Sequence, residues 1–486
     1  MPQKNTPNKN RLDQVTKQVL ARITPSKADR KKVLALAKNL QAKVEAASKA
    51  FHVPANVRLE GSLAKDTWLS EDLDIDIFMQ MPPSISRQLL GEVALKIAKK
   101  ATEGSEQVER FAEHPYLEAF VNAARVNIVP CYDAKPGEWL SATDRTPYHT
   151  DYINEHLKKQ QRADVRLLKR FMKGIGVYGA EIKVGGFSGY LCELLVLHFS
   201  SFTKVLQAFS QHNPKRVIDI QRFYEHRQRE LELLFPEPLV IIDPVDKARN
   251  VASAVQPQRL HTFVAASRAF LKEPSEEFFY PLKTQPISVE EMQEAIARRG
   301  SSLIFLTFGN IKAVPDVLWG QLHRTRKAIK KQLEILGFRV LRDDIWSEDK
   351  ASFVMFVFEL EQRVLPRTIK HAGPPLEFEK ECESFLSKYT SKSEVISGPF
   401  IDEGRWMVEL PRKFTDAAEM LREMLKSGGR EIGVAELVAN VLREDFLVLI
   451  GEEVTEHFMY NAEFAQFLTE FLSGKPFWIE TKSQHK

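Results

Sequence analysis

An α+β chain of several domains is what the sequence predicts, and three observations carry that expectation. Its 486 residues are too many for one core, and length alone suggests about three domains. Between residues 57 and 129 the hydrophobic period switches from two to that of a helix and back, the mark of a small mixed sheet. Beyond residue 302 the same switching returns after a mainly helical middle, in an order compatible with a ferredoxin-like α+β layer. The expected domains are 1–160, 161–280 and 281–486.

Residues 12–22 and 27–51 look helical, the second with Val33, Leu34, Leu36, Leu40 and Val44 at helical spacing. The segment 57–60 alternates as a strand and stops at Gly61, and 73–79 alternates again. A helix is expected over 86–102, then strands at 117–122 and 125–129. From 162 to 235 the pattern is mainly helical. A strand-like run at 239–242 interrupts it before helix resumes near Pro257. The composition shifts again between Pro281 and Pro286. Residues 302–308 then read as a strand, 315–336 as a long amphipathic helix, and 338–341 and 351–360 as further strands. The last hundred residues mix both patterns in an order the periodicity leaves open.

Hydrophobic residues make up 43% of the chain and charged residues 28%, a balance that excludes disordered and fibrous classes. The net charge of +4 permits a nucleic-acid partner without arguing for one, since such binders concentrate their charge locally. Cys131, Cys192 and Cys382 are odd in number and far apart, so they read as free thiols in a reducing compartment rather than a disulfide or metal framework. Residues 1–11 are polar and lack the apolar stretch of a signal peptide, and no run approaches the roughly 18 apolar residues of a membrane span. A cytoplasmic enzyme with no membrane partner is expected.

Chemistry concentrates in residues 61–78. Strand side chains alternate faces, so Asp74 and Asp76 project together while Ile75 and Ile77 point to the core. Two close carboxylates repel, and a divalent cation such as Mg²⁺ relieves that while taking phosphate oxygens as further ligands. Just upstream, Gly61 lets the backbone approach a phosphate, Ser62 can donate to it, and Lys65 adds a cation. An Asp-x-Asp pair alone is more often a solvated strand edge. Strand, Gly-Ser, then Asp-x-Asp on the next strand is far more specific, and it resembles the nucleotidyltransferase superfamily that includes DNA polymerase beta.

The blocks Glu113-His114-Pro115-Tyr116, Val129-Pro130-Cys131-Tyr132, Asp144-Arg145-Thr146-Pro147-Tyr148-His149, Val165-Arg166-Leu167-Leu168-Lys169, Val177-Tyr178-Gly179-Ala180-Glu181, Gly186-Phe187-Ser188-Gly189-Tyr190-Leu191-Cys192-Glu193-Leu194 and Asp243-Pro244-Val245-Asp246-Lys247-Ala248-Arg249-Asn250 sharpen this. They resemble archaeal-type (class I) CCA-adding enzymes. Weaker similarity continues through Gly373-Pro374, Gly404-Arg405-Trp406 and Arg412-Lys413-Phe414. The resemblance implies a polymerase-beta-like nucleotidyltransferase head, a helical central domain that recognises the nucleotide, and a C-terminal tRNA-binding body and tail. It further implies addition of C, C and A to the 3′ end of tRNA from CTP and ATP without a template, with two Mg²⁺ ions, and a homodimer through the C-terminal half.

By the same resemblance Ser62 and Lys65 contact the triphosphate, the family usually carrying Arg at the second position. Thr146, His149, Lys169 and Tyr178 match nucleotide-pocket positions, and Arg249 matches the residue that reads the base edge alongside Asp246. From the residues themselves, Lys169 shares a helix face with Arg166 and Lys173, a basic face that plain solvation would also explain. Tyr178 could equally be a core aromatic with a bonded tip. An Arg249–Asp246 pair could be structural alone. Ser188 reads as a helix N-cap in a packing block, and His52, His114 and His198 as hydrogen-bonded structure.

One position departs from the pattern. The superfamily's third carboxylate falls at Asn127, flanked by Val126 and Ile128. Asparagine keeps a metal-touching oxygen but brings no charge and accepts no proton near neutral pH. Losing general-base help costs roughly 10²–10⁴-fold in rate. The expectation is a CCA-type pocket with Asp74, Asp76 and Asn127 at its centre and strongly reduced catalysis. The alternatives are a catalytically degenerate tRNA-binding protein, or another template-independent polymerase such as a poly(A) polymerase. For the tRNA acceptor and T arms, the candidate contacts are Arg324, Lys327 and Lys331 on the 315–336 helix, with Lys370, Arg405 and Lys413 beyond it.

Overall fold

The computed structural model describes residues 6–482 apart from 112, 212 and 349–350. It divides into two compact units, Met1–Leu282 with Pro476–Lys486, and Lys283–Lys475.

The first unit opens with α1 (Thr6–Ile23), α2 (Lys27–Ala50), β1 (Asn56–Glu60), the single turn α3 (Gly61–Ala64) and β2 (Asp74–Met81). Then come α4 (Arg87–Ala101), β3 (Glu106–Phe111), β4 (Pro115–Val121) and β5 (Ala124–Tyr132). The five strands form one sheet in the order β1-β2-β5-β4-β3, with β2 and β5 parallel and the other neighbours antiparallel. Ser26 starts α2 through a capping box with Asp29. Val33, Ala37, Leu40 and Val44 then recur at helical spacing and join Leu90, Ala94 and Ile97 of α4 over one face of the sheet. Beneath them lie Ile75, Ile77, Val126 and Ile128, all fully buried, so the alternate residues of β2 and β5 face the other way.

β3 was not expected. Its sequence, Glu-Gln-Val-Glu-Arg-Phe, lacks an apolar alternation because it is an edge strand whose charges discourage further pairing.

The helical part of this unit comprises α5 (Thr146–His156), α6 (Gln161–Gly174), α7 (Gly189–Phe199), α8 (Phe202–Ser210), β6 (Arg216–Ile218), α9 (Gln228–Leu234), β7 (Leu239–Asp243), β8 (Asp246–Asn250) and α10 (Pro257–Lys272). Phe171 sits at its centre, in ring contact with Phe202, Phe263, Phe270, Phe278 and Phe279. Val15, Val19 and Ile23 of α1 pack into this same core rather than against the sheet. The three-residue β6, parallel to β7, interrupts the stretch expected to be helical. Such a short strand leaves too few alternations to read.

The second unit contains α11 (Val289–Ala297), β9 (Ser302–Phe308), α12 (Pro315–Ile335), β10 (Val340–Ser347), β11 (Val354–Leu360), β12 (Thr368–Pro375), α13 (Glu379–Tyr389), β13 (Ser397–Asp402), β14 (Arg405–Pro411), α14 (Ala417–Leu425), α15 (Glu436–Glu444), β15 (Leu447–Ile450), α16 (Thr455–Tyr460) and α17 (Ala462–Ser473). An antiparallel sheet ordered β10-β11-β9-β15 has the ferredoxin-like arrangement, with α12 joining its first two strands. Ile304 and Leu306 pack toward α12, α14 and α15, whereas Leu303 and Phe305 pack toward α11, α16 and α17. Burial on both faces explains why β9 and β11 read as continuous apolar runs. A separate sheet ordered β12-β14-β13 lies between β11 and α14 in the chain. All three cysteines are free and buried. No helix among the described residues is long and apolar enough to cross a membrane.

Candidate active site

The face of the head sheet opposite α2 and α4 gathers its polar side chains in rows. The parallel register sets Asp74 beside Arg125 and Asp76 beside Asn127, and the antiparallel registers set Glu60 opposite Asp76 and Glu118 opposite Asn127. Directly paired residues share a face, so Glu60, Asp76, Asn127 and Glu118 form one row across four strands. A cavity of about 320 Å³ opens there, lined by Gly61, Asp76, Phe78, Tyr116, Asn127, Val129 and Thr146.

Asn127 Nδ2 donates to Asp76 Oδ1 at 2.9 Å. Burial raises the Asp76 pKa, the Asn127 hydrogen bond opposes that rise, and Asp74 adds to it. Asp74 is held differently. Arg125 Nε donates to its Oδ1 at 2.6 Å and Nη2 to its Oδ2 at 2.5 Å, a two-pronged fork that raises the arginine pKa. Gly61 adopts φ +69°, and a Cβ there would overlap the Asp76 carboxylate, so only glycine admits the loop this close.

Lys65 was expected on the triphosphate and Lys169 in the nucleotide pocket, and the structure places both inside the protein. Lys65 Nζ donates to Glu193 Oε2 at 2.6 Å, and Lys169 Nζ to Thr67 Oγ1 at 3.0 Å with Glu193 Oε1 at 3.4 Å. Thr67 Oγ1 completes the cluster on Glu193 at 2.5 Å. Burial pushes the Glu193 pKa up, and the two ammoniums outweigh it, so the carboxylate stays below its usual range. Two lysine amines thus share one carboxylate behind the Gly61 loop, and burial lowers the Lys169 pKa. The basic face of α6 is likewise covered. Arg166 donates to the Asp66 and Trp68 carbonyls at 2.6 and 2.9 Å, and Lys173 pairs with Asp72. These contacts clamp the loop that carries Lys65 and replace the solvated face that the spacing also allowed. Ser62, half-buried, accepts the Thr67 N–H through its carbonyl and turns that loop.

Arg249 does not stand with Asp246. Its Nη1 donates to Asp243 Oδ2 at 2.7 Å, while Asp246 is taken by Arg145 at 2.7 Å. Asp243 has no exposure. It also holds His149 at 2.8 Å and the Tyr190 hydroxyl at 3.2 Å, and the His149 and Tyr190 rings stack at 4.0 Å. Burial lowers the His149 pKa, and the hydrogen bond to the Asp243 carboxylate opposes that fall. The short turn between β7 and β8 explains the exchange, since it brings Arg249 back across Asp243. Thr146 lines the cavity at the start of α5. Tyr178 is half-buried, with Lys173 Nζ 5.3 Å from its ring centre.

Arg125, Glu193 and Asp243 were not singled out from the sequence. Arg125 lies two residues before Asn127, so strand periodicity alone puts it on the same face. Glu193 interrupts the apolar helix Leu191–Leu197, a place where a carboxylate demands a buried cation.

In the second unit Arg324, Lys327 and Lys331 are exposed on α12, whereas their neighbours Arg326 and Lys330 pair with Asp343 of β10. Lys413 is exposed, and Lys370 pairs with Asp402 at 3.1 Å, level with Arg405 across the β13–β14 register.

Among the described residues no group of three His, Cys, Asp or Glu side chains converges on one point. With both Asp74 oxygens on Arg125 and Asp76 Oδ1 on Asn127, the oxygens outside these contacts are Asp76 Oδ2 and the one amide oxygen of Asn127. That set fits one hard cation completed by phosphate and water. It does not fit the pair of Mg²⁺ ions that the resemblance implies.

Three family models match the chain. The model described as a nucleotidyltransferase domain matches residues 40–149, that of the second domain of tRNA nucleotidyltransferase 163–280, and that of the C-terminal domain of the CCA-adding enzyme 299–451. A CCA-adding enzyme of Methanosarcina barkeri is 37% identical over 412 residues, covering 84% of this chain and 88% of its own. Those of Methanothermobacter thermautotrophicus and Methanosarcina mazei are 36% and 37% identical, each covering at least 93% of this chain and 97% of its own. With similarity running through head, helical part and C-terminal unit alike, the chain belongs to the CCA-adding enzyme family.

Proposed function

We propose that this protein is a CCA tRNA nucleotidyltransferase that adds C, C and A to the tRNA 3′ end from CTP and ATP, slowed by Asn127. The observation that carries the proposal is the packing of Gly61 against Asp76 on a sheet face that opens into a cavity. The triphosphate lies along the Ser62 loop, with the Lys65–Glu193–Lys169 cluster holding that loop from behind. Thr146, His149 and Tyr178 border the nucleotide. Arg249, aimed by Asp243, presents its exposed N–H groups to the base edge, donors fixed by protein in place of a template. The tRNA 3′ hydroxyl attacks the α-phosphate, its proton passes to solvent, and pyrophosphate leaves. Asp76 and Asn127 would hold a divalent cation, which would supply positive charge against the negative charge building on the phosphates.

Arg324, Lys327, Lys331, Lys370, Arg405 and Lys413 track the phosphates of the acceptor and T arms. The protein works in the cytosol, where its tRNA is, and pairs with a second copy through unit Lys283–Lys475, whose Met459 and Tyr460 are exposed.

A second reading is supported by Asn127 and by the fork on Asp74: a protein that binds tRNA and nucleotide with little transfer. Incorporation of labelled CTP and ATP into a tRNA lacking CCA, with Mg²⁺, separates the two. The enzyme reading expects the Asn127→Asp variant to add three nucleotides and stop, about 10²-fold or more faster than the parent. Binding without transfer by both chains would leave the second reading in its place.

A further inference from the structure

We propose that the head binds its nucleotide on a single divalent cation, and that the guanidinium of Arg125, locked on Asp74, stands in for a second. The inference rests on the nucleotidyltransferase reading and changes how its charge is balanced.

Arg125 reaches Asp74 because the parallel β2–β5 register places them side by side on the open face. The fork engages both carboxylate oxygens, so a metal at Asp74 would have to share them with the guanidinium or displace it. Either way it competes with a delocalised cation for an ideal two-pronged partner. Asp76, with one oxygen on Asn127 and the other beside Gly61, remains the anionic donor for an ion. Asp74, Asp76 and Arg125 together carry one net negative charge around a neutral amide. One divalent cation turns that into a single positive charge facing the triphosphate; a second would lie against the guanidinium.

Neighbouring acids do not make up the deficit. Glu118, opposite Asn127, is held by Arg110 at 2.7 and 3.1 Å. Glu60, opposite Asp76, is fully buried with Arg58 Nε 2.8 Å away. Arg125 itself keeps 46% of its side chain exposed, so its remaining N–H groups can donate to a phosphate oxygen, as a guanidinium does.

The experiment counts Mn²⁺ bound to the full-length chain by the loss of free-ion electron paramagnetic resonance signal, with α,β-methylene-CTP, which cannot react. The parent is expected to take one Mn²⁺ with the analogue. Arg125→Ala, tolerable at so exposed a position, is expected to gain a second site at least tenfold tighter than any in the parent. Arg125→Gln tests the same loss of charge with the bulk retained. The double variant Arg125→Ala/Asn127→Asp is expected to bind two. Two tight ions in the parent would overturn the inference. So would a second site that appears with Asn127→Asp alone and is unaffected by either Arg125 change. If no variant binds the analogue at any Mn²⁺ concentration, the nucleotidyltransferase reading itself has failed, and the inference with it.

Discussion

Gly61 and Asp76 are packed so closely that an ideal Cβ on the glycine falls 2.9 Å from the carboxylate carbon. The phosphate-side loop and the anionic strand therefore fit only while residue 61 has no side chain. Gly61→Ala must displace Asp76 and also hold alanine at φ +69°, a strain of about 1–3 kcal/mol. Nucleotide affinity, measured by calorimetry with the methylene analogue, is expected to fall by about tenfold or more, equivalent to about 1.4 kcal/mol. An unchanged affinity would show that Asp76 does not meet the nucleotide.

Glu193 ties the Lys65 loop to α6 from inside the core. Glu193→Gln leaves two buried ammoniums without an anion, and breaking a buried pair from one side costs about 3–5 kcal/mol. Thermal melting should show a large loss in the first unit. Because the folded carboxylate sits below its ordinary value, the stability it contributes is present above the usual glutamate range and is lost as pH falls through its folded value. The variant should lack that acid limb. The double change Glu193→Gln/Lys169→Met removes one stranded cation and should recover part of the loss.

Glu60 makes the opposite pH signature. Burial pushes its pKa from 4.5 up to about 7. The folded chain holds this proton more tightly than the unfolded chain does. Its contribution is therefore complete below 4.5 and disappears as pH rises through 7. The shift corresponds to about 3 kcal/mol. Melting temperature between pH 5 and 8 should fall in the parent and flatten in Glu60→Gln. An equal slope in both would remove Glu60 as the source.

On α12, the exposed trio Arg324, Lys327 and Lys331 contrasts with the paired Arg326 and Lys330. Replacing the trio with Ala should weaken tRNA binding and lower the slope of log affinity against log salt by about one unit per lost phosphate contact. Replacing Lys330 should chiefly destabilise the packing of α12 on β10. A salt slope untouched by the triple change would place the tRNA on another surface.

Much of this was written in local pattern. The period of two in Asp74–Ile75–Asp76–Ile77 sets two carboxylates on the open face and two isoleucines in the core whatever surrounds them, and of the α12 stripe Leu318, Leu322, Ile329, Leu333 and Leu336 all are buried but Leu336, which is half-buried at the helix end. The motif blocks likewise carry the mark of the family in the sequence alone. Asn127 stood out because its place in the strand follows from its neighbours. What periodicity could not supply is partnership between residues distant in the chain. Arg125 meets Asp74 only because β5 lies parallel to β2 in one register. Glu193 meets Lys65 across 128 positions, and Asp243 rather than Asp246 takes Arg249 because of how a tight turn closes. Side-chain spacing is decided within a few residues of backbone geometry. Which charge neutralises which is decided by packing, because a buried ion must find its counterion wherever the tertiary fold brings one.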